Sequence, residues 1–338
     1  MVIEKELIII GSGPAGLRAG EEAKKAEIDY LILEQGEVAK SWKDVRQDLI
    51  MLSPCLPQRD WTSISTDFPI WKLDVTRPYC YAWEFAEYLV CHADHFSLNI
   101  SEKSRAKAIR KIDDGYEIDT DLTVYRCKFL VIAAGFFGNP YIPDIPGLRG
   151  HPLVMHSHQF KSAEHLRNKR VVIIGSGNSA AETAIVLAGY AQVYMLVRNE
   201  LRFFSKTKNL CDIRGISESY LLELMAMEII RYFPTTEISR VEKDHVYFND
   251  KQLEVHQIIC ATGYNADLNM LGELQIPIHP KTGFPVIQDF GESTAFEGLF
   301  FAGPLAYTQL TSLLLHGFIK LIPDTIAAIA RRRVNAAV

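Results

Sequence analysis

The sequence predicts an α/β protein in which two parallel-sheet units are nested, one interrupting the other. Three observations lead there. A glycine-rich turn, Gly11-Ser-Gly13-Pro-Ala-Gly16, follows an apolar run and opens a segment of helical spacing. A second turn of the same kind, Gly175-Ser-Gly177-Asn-Ser179-Ala180, recurs in the second half of the chain. Two further apolar strands, Phe129 to Gly135 and Ile258 to Gly263, each end in glycine, and no low-complexity tract or long linker separates them. The reading is two nested Rossmann-like dinucleotide-binding domains, with residues 1–163 and 262–338 forming the first and 164–261 the inserted second.

Residues 5–10 form a short apolar run ending at glycine, the pattern of a buried parallel strand. Helical spacing follows from Ala15 to Ala26, and a second strand runs from Tyr30 to Glu34, completing a βαβ unit. Residues 37–98 read as irregular and rich in aromatics and proline. Residues 106–126 read as a small β-meander with a tight Asp113-Asp114-Gly115 turn. The second unit repeats the order: strand 170–174, helix from Ala180 to Leu187, strand from Gln192 to Arg198. Residues 200–235 read as an insertion, helical around Glu218 to Ile230.

Composition narrows the function. The chain has 338 residues, 48% hydrophobic and 23% charged, which is the soluble globular average. A net charge of −5 supplies no basic field for nucleic acid or an anionic membrane, so small molecules are the expected partners. The six cysteines contain no pair at metal-ligand or C-x-x-C spacing. Reduced, mostly buried thiols follow, with no metal site and no local redox dithiol. The N-terminus enters a strand at once, without the pattern of a signal peptide. The apolar stretch from Leu310 to Ala330 is broken by His316, Lys320, Pro323 and Asp324, so a packed helix is expected rather than a membrane span. The expected location is cytoplasmic.

The two turns carry the chemistry. Gly11 permits the tight exit from the strand, Gly13 lets backbone approach a pyrophosphate, and Gly16 lets the helix pack close with its N-terminal amides facing negative charge. Glu34, at the end of the next strand, can accept ribose hydroxyls and repels a 2′-phosphate. In the second copy Ala180 takes the third glycine's place, and Arg198 stands where Glu34 stood. Arginine there pairs with a ribose 2′-phosphate, favouring NADPH with NADH as the alternative; Arg202 and Lys206 can join it. A solvated strand-end arginine is the plainer reading of the same residue.

These two units, the turn at Gly135 and the Ala261-Thr262-Gly263-Tyr264 segment resemble the two-dinucleotide-binding-domain flavoproteins, in which FAD sits in the first unit and NAD(P)H in the second. Within that superfamily the chain looks like the flavin-containing (class B) monooxygenases. Ser41-Trp42 and the run Asp48 to Pro54 resemble the stretch those enzymes place over the flavin, and residues 135–147 are similar to their glycine-proline turn. His156-Ser-His158-Gln-Phe-Lys161 resembles the family fingerprint before the second glycine motif, with Leu148 standing where that fingerprint has phenylalanine. The C-terminal Gly298 to Pro304 resembles the strand beside the FAD ribityl chain, and Thr308 to Ser312 is expected to open the last helix.

What the resemblance implies is specific. FAD would be contacted by Gly11, Gly13, Pro14, Ala15, Gly16, Glu34, Gln35, Ser41, Trp42, Leu52, Ala134, Gly135, Gly303 and Pro304. NADPH would be contacted by Gly175, Ser176, Gly177, Asn178, Ser179, Ala180, Arg198, Ala261, Thr262 and Gly263. The implied activity is transfer of one oxygen from O2, via a C4a-hydroperoxyflavin, to a small sulfide, amine or ketone. A non-oxygenating reductase of a disulfide, of the bacillithiol disulfide reductase type, or of a quinone stands as the alternative. A flavin-bound sensor without turnover is a third.

Individual side chains remain open at this level. His156 is either a structural residue of the linker or a catalytic group, and Cys55 is either a reactive thiol or a buried bystander. Trp42, Trp61, Trp71 and Trp83 line a pocket or fill a core. Glu182 and Arg214 read as surface or hinge charges, and a homodimer is left open.

Overall fold

The computed structural model describes residues 2–46, 48–202 and 216–335. Its residues form two compact units, the first of residues 1–43, 53–139 and 265–338, the second of residues 44–52 and 140–264.

In the first unit, β1 (Val2–Ile10) leads through the first glycine turn into α1 (Pro14–Lys25), then β2 (Tyr30–Leu33) and a single turn, α2 (Lys40–Lys43). A two-residue hairpin follows, β3 (Cys55–Leu56) and β4 (Arg59–Asp60). Then come α3 (Ala82–His95), β5 (Ile100–Ser101), β6 (Ala106–Ile112), β7 (Gly115–Thr120) and β8 (Val124–Ile132). The order β5-β2-β1-β8 is parallel, with β2 and β1 inside the run. The far edge of β8 is divided: residues 124–127 pair antiparallel with β7 and residues 130–132 pair parallel with β17 (Leu299–Phe301). The meander expected at 106–126 is thus β6, β7 and the start of β8, with Ile112 opposite Gly115 across the turn.

Ile8, Ile10, Leu130, Ile132 and Phe301 alternate onto one face of this sheet and make a core with Leu271, Leu274 and Leu305. Each such buried side chain contributes about 1.5–3 kcal/mol. The alternate residues Leu7, Ile9 and Val131 are equally buried, which is why these strands read as continuous apolar runs.

The sequence reading missed α3, a fourteen-residue helix within the stretch taken as irregular. Its aromatics Trp83, Phe85 and Tyr88 have low helix propensity, and packing overrides it. Glu84 anchors the start by accepting the Tyr81 N–H at 2.7 Å. Buried Glu21 on α1 then ties the two helices, accepting from His92 Nε2 at 2.9 Å on α3 and from Arg18 and Lys25 on its own helix. Burial works to raise the Glu21 pKa, but these hydrogen bonds prevail and hold it at about 2.

In the second unit, β9 (Val154–His156) precedes β10 (Arg170–Ile174), α4 (Asn178–Ala188), β11 (Gln192–Leu196), α5 (Ile216–Ala226) and β12 (Ile230–Phe233). An antiparallel three-stranded sheet follows, β13 (Ile238–Glu242), β14 (His245–Phe248) and β15 (Lys251–Glu254), and then β16 (Gln257–Cys260). The five-stranded sheet runs β12-β11-β10-β16-β9, parallel throughout. Ile230, read from sequence as the end of a helix, instead opens its edge strand at residues 230–233; four residues carry too little periodicity to show it. Residues 140–163 belong to this unit because β9 extends its sheet and Leu148 packs with Val172, Tyr194 and Val241 in its core.

The C-terminal stretch differs from the single helix expected. It runs as a 3-10 turn at Leu310–Leu313, α6 (Leu315–Phe318), another 3-10 turn and α7 (Ile322–Asn335). Thr308 to Ser312 therefore opens one 3-10 turn and not the last helix. Gly317 sits against the Thr311 carbonyl, where a side chain would overlap it, and this close approach breaks the segment into short turns. Among the described residues no helix is long and apolar enough to cross a membrane.

Candidate functional site

The first glycine turn is built by close approach. Gly11 has φ +103°, and a Cβ there would come within 2.8 Å of the Ala133 carbonyl oxygen on the strand alongside. A Cβ on Gly16 would overlap the Gly11 carbonyl, so α1 packs onto its own entry turn. Gly13 is different: φ is −78° and a Cβ there meets nothing within 4 Å. The space above it is open. Helix α1 has no side-chain cap at its N-terminus and no acidic residue in its first turn. Its leading N–H groups and the positive end of its dipole thus face that opening, which fits a pyrophosphate.

Glu34 stands beside this turn as the sequence spacing requires. It is buried, and its Oε2 accepts from the Ser12 N–H at 2.8 Å and the Ser12 hydroxyl at 2.7 Å. Oε1 accepts from the Gly36 N–H at 2.9 Å, which aims the carboxylate and leaves lone pairs for a ribose. Ser12 is a positioning residue that sequence reasoning missed, although its place between Gly11 and Gly13 could have indicated it. Gly303 closes the same turn from the far side; its Cβ position lies 3.0 Å from Ala15 Cβ. Pro304 follows directly, and Ala134 and Gly135 extend from the end of β8.

Trp42 joins two motifs that the sequence separates. Its ring meets Phe137, next to the Gly135 turn, edge-on at 5.5 Å and Phe85 of α3 at 4.7 Å. Ser41 is its half-buried neighbour and Gln35 is exposed at the end of β2. None of the four tryptophans is a core residue. Trp61 packs on His316 at 4.8 Å, Trp71 is half-buried, and Trp83 is 44% exposed on α3.

The second unit repeats the turn. Gly175 has φ +143°, and a Cβ there would overlap the Ala261 carbonyl, while a Cβ on Gly177 meets nothing within 4 Å. Helix α4 again lacks a side-chain cap and a first-turn acid. Ala180 is fully buried at the helix–sheet contact, where the first copy has Gly16. Asn178 reaches Glu218 of α5 at 3.5 Å, and Ser179 O accepts from the Thr183 hydroxyl at 2.7 Å. Ser176 O accepts from the Arg202 N–H at 2.7 Å, which fixes residue 202 against the turn. Arg198 is exposed two residues past β11. Lys206, Cys211 and Arg214 lie outside the described residues. Leu52 belongs to this unit and not to the one holding the other residues of its group. Glu182, read from sequence as a surface or hinge charge, is buried on α4, which hydropathy alone does not reveal.

His156 is a fixed neutral imidazole. It is 1% exposed on β9, its Nε2 donates to the Gly263 carbonyl at 3.0 Å, and its Nδ1 accepts from the His158 N–H at 3.1 Å. Burial pushes its pKa down to about 4, against the Gly263 hydrogen bond, which favours the charged form. Both nitrogens are therefore engaged, Nε2 with the Ala261-Thr262-Gly263 turn and Nδ1 with the backbone of His158, and the ring lies edge-on to Tyr264 at 5.0 Å. Thr262 donates to Tyr141 O and completes that turn.

Of the described cysteines, Cys55, Cys80, Cys127 and Cys260 are buried and Cys91 is half-buried; none is in a disulfide. Cys55 is not alone. Its Sγ donates to the Arg77 and Pro78 carbonyls at 3.3 and 3.4 Å, two residues short of Cys80, and the neighbouring Cys80 thiol draws the Cys55 pKa below the ordinary range.

Residues 8–303 match the profile of the family described as "Pyridine nucleotide-disulphide oxidoreductase". Among curated proteins, the chain is similar to the uncharacterized oxidoreductase CzcO of Bacillus subtilis, 29% identical over 59% of this chain and 56% of that one. It is also similar to the probable indole-3-pyruvate monooxygenase YUCCA1 of Arabidopsis thaliana, 30% identical over 62% of this chain and 50% of that one. The chain thus spans about half the length of these two relatives. Among solved structures, the bacillithiol disulfide reductase Bdr (YpdA) from Staphylococcus aureus superposes with a TM-score of 0.84 at 25% identity, covering 99% of both chains. A flavin-containing monooxygenase from Stenotrophomonas maltophilia superposes with a TM-score of 0.82 at 18% identity, over 98% of this chain and 99% of that one, a likeness of fold alone.

Proposed function

The chain belongs to the pyridine nucleotide-disulphide oxidoreductase family, and from that premise we propose that it is an FAD-dependent, NADPH-consuming monooxygenase. Its substrate is a small soft nucleophile, a sulfide or amine, or a ketone. The observation that carries the reading is the burial of the thiols: among the described residues no cysteine is exposed to relay electrons to a bulky disulfide. The motif resemblance around Ser41-Trp42, Gly135 and His156 points the same way.

The proposed roles follow from the geometry of each unit. The open, uncapped turn at Gly11, Gly13, Pro14, Ala15 and Gly16 holds the FAD pyrophosphate, with Glu34 on a ribose and Gln35, Ser41, Trp42, Ala134, Gly135, Gly303 and Pro304 around it. The turn at Gly175, Ser176, Gly177, Asn178, Ser179 and Ala180 holds the second pyrophosphate, with Arg198 on the 2′-phosphate and Ala261, Thr262 and Gly263 alongside. Bound flavin would supply hydride acceptance and, once reduced, reaction with O2. The chain's own residues position and shield. Trp42 wedged between Phe85 and Phe137 keeps water from the Gly135 turn. His156, neutral and doubly hydrogen-bonded, holds the Gly263 turn and moves no proton.

A second reading, a reductase of a small disulfide or a quinone, is favoured by the Bdr superposition over 99% of both chains. Isotopically heavy O2 separates the two. The purified protein with NADPH and methyl phenyl sulfide is expected to yield labelled sulfoxide in proportion to NADPH consumed. Unlabelled substrate, with NADPH oxidised faster when bacillithiol disulfide or a quinone is added, would replace the oxygenase by the reductase.

A further inference from the structure

Glu292 is a buried carboxylate outside both glycine turns, 2% exposed and just past the 3-10 turn Asp289–Gly291. Donors fill all of its acceptor positions. Oε1 accepts from the Gly298 N–H at 2.9 Å and from Arg332 Nη1. Oε2 accepts from Arg332 Nη2 at 2.6 Å and from Gln288 Nε2 at 3.1 Å. Burial works to raise the Glu292 pKa, but the Arg332 and Gly298 hydrogen bonds prevail and hold it below the ordinary range. Arg332 reaches in from the last turn of α7, its guanidinium 5.8 Å from the centre of the Phe300 ring.

These contacts converge on β17, which at three residues is shorter than most strands. On one side Leu299 to Phe301 pair with Leu130 to Ile132 of β8. On the other side the Glu292 segment braces the strand. Glu292 bridges Phe300, and the Ser293 N–H donates to the Leu299 carbonyl at 2.8 Å. Gly291 lies so close that a Cβ there would come within 2.5 Å of the Phe301 carbonyl oxygen. Gly298, held by Glu292, makes the turn into the strand at φ +79°.

The strand leads directly to the first glycine turn. The Ala302 N–H donates to the Ile132 carbonyl at 2.9 Å, and the Cβ position of Gly303 then lies 3.0 Å from Ala15 Cβ. That spacing leaves no slack: a slip of β17 toward α1 drives Gly303 into Ala15, and a slip away opens the turn. Arg333, the next residue of α7, is anchored elsewhere. It donates to Glu6 at 2.9 Å and to the Glu27 carbonyl at 2.8 Å, past the C-terminal end of α1.

A buried ion pair adds little net stability over apolar packing, and its best-attested use is to fix register. We propose that Glu292 and Arg332 are positioning residues for the flavin. The last turn of α7 sets the register of β17 and thereby places Gly303 and Pro304 against the turn that holds the FAD pyrophosphate. This rests on the assignment of FAD to the first unit and is independent of the acceptor that reduced flavin meets.

Amide exchange and flavin titration, both on flavin-depleted full-length protein, test it. Arg332→Gln and Glu292→Gln should speed exchange at residues 299–303 by about tenfold, the worth of one hydrogen bond, while Leu7 to Ile10 keep wild-type rates. FAD should then bind these variants about tenfold more weakly, read from quenching of flavin fluorescence. Arg332→Lys keeps the charge without the two-pronged fork, so it should recover part of the loss, and it carries the test if Arg332→Gln does not fold. Arg333→Gln loosens the same helix from its other anchor. It should lower the thermal midpoint and leave both FAD affinity and exchange at 299–303 as in wild type. Equal weakening of FAD binding by the Arg332 and Arg333 variants, or unchanged affinity in Arg332→Gln and Arg332→Lys, would reduce the pair to a prop of the fold and overturn the proposal. Wild type that takes up no FAD would overturn the placement of the flavin itself, and this inference with it.

Discussion

At His156, burial and two hydrogen bonds make a pH dependence with a definite sign. Its pKa falls to about 4 from an unfolded value of 6.5. Between those values the unfolded chain binds more protons, so stability is full above the unfolded pKa and is lost as pH falls through that window. A downward shift of this size is linked to a stability change of about 3 kcal/mol. Urea unfolding of wild type and His156→Asn across the window checks it: the variant's pH slope should be shallower, and equal slopes would exclude His156 as the source. Glu21 acts in a different window, between 4.5 and about 2, where protonation removes stability. Arg198 bears on specificity. Arg198→Ala should raise the KM for NADPH about tenfold, the worth of one charge-assisted hydrogen bond, while that for NADH hardly moves. Steady-state kinetics with both nucleotides decides, and equal changes would return Arg198 to a solvated strand end. Arg198 was nameable because its motif counts residues from a glycine. The pairing of Cys55 with Pro78 was not, since two irregular proline-containing segments meet there, and no periodicity encodes their meeting.

At the element scale, the strand–turn–helix units carried the most legible signal. Their glycines answer backbone overlaps that any side chain would cause, and their strands are apolar on both faces. Helix α3 was hidden by its aromatics and by a start that depends on Glu84 reaching back to Tyr81. Strand β12 was hidden by its four-residue length. The two kinds of glycine in the turn should separate experimentally. A Cβ on Gly16 overlaps the Gly11 carbonyl, so Gly16→Ala must push α1 away from its entry strand, at about 1–3 kcal/mol for overpacking. Gly13→Ala meets no neighbour and has an ordinary φ of −78°. It should leave folding intact and instead fill the space above the uncapped amides. Thermal unfolding and flavin absorbance of both variants test this: Gly13→Ala should keep its cooperative transition and lose flavin, and a fully flavinated Gly13→Ala would place the pyrophosphate elsewhere.

The whole molecule has two units with separate cores, one around Ile8, Leu130 and Phe301 and the other around Val171, Ala184 and Val193. Their nesting was legible because the glycine motifs and apolar strands occur in an order that only interruption of one unit by the other explains. The placement of residues 140–163 was not, because β9 is three residues long and its pairing with β16 is a tertiary event. Separate cores make a prediction about ligands. If FAD occupies the first unit, it stabilises that unit by mass action, about 2.7 kcal/mol when free flavin is one hundred times its dissociation constant. Flavin-depleted protein titrated with FAD should therefore show an unfolding midpoint that climbs with the logarithm of FAD concentration. NADP⁺ added to the same depleted protein should protect the amides of residues 175–180 from hydrogen exchange and leave those of residues 11–16 unprotected, because each ligand is held by its own turn. Protection of both turns by NADP⁺ alone would mean that the second nucleotide is not confined to the second unit, and the division of labour assigned to the two glycine motifs would have to be redrawn.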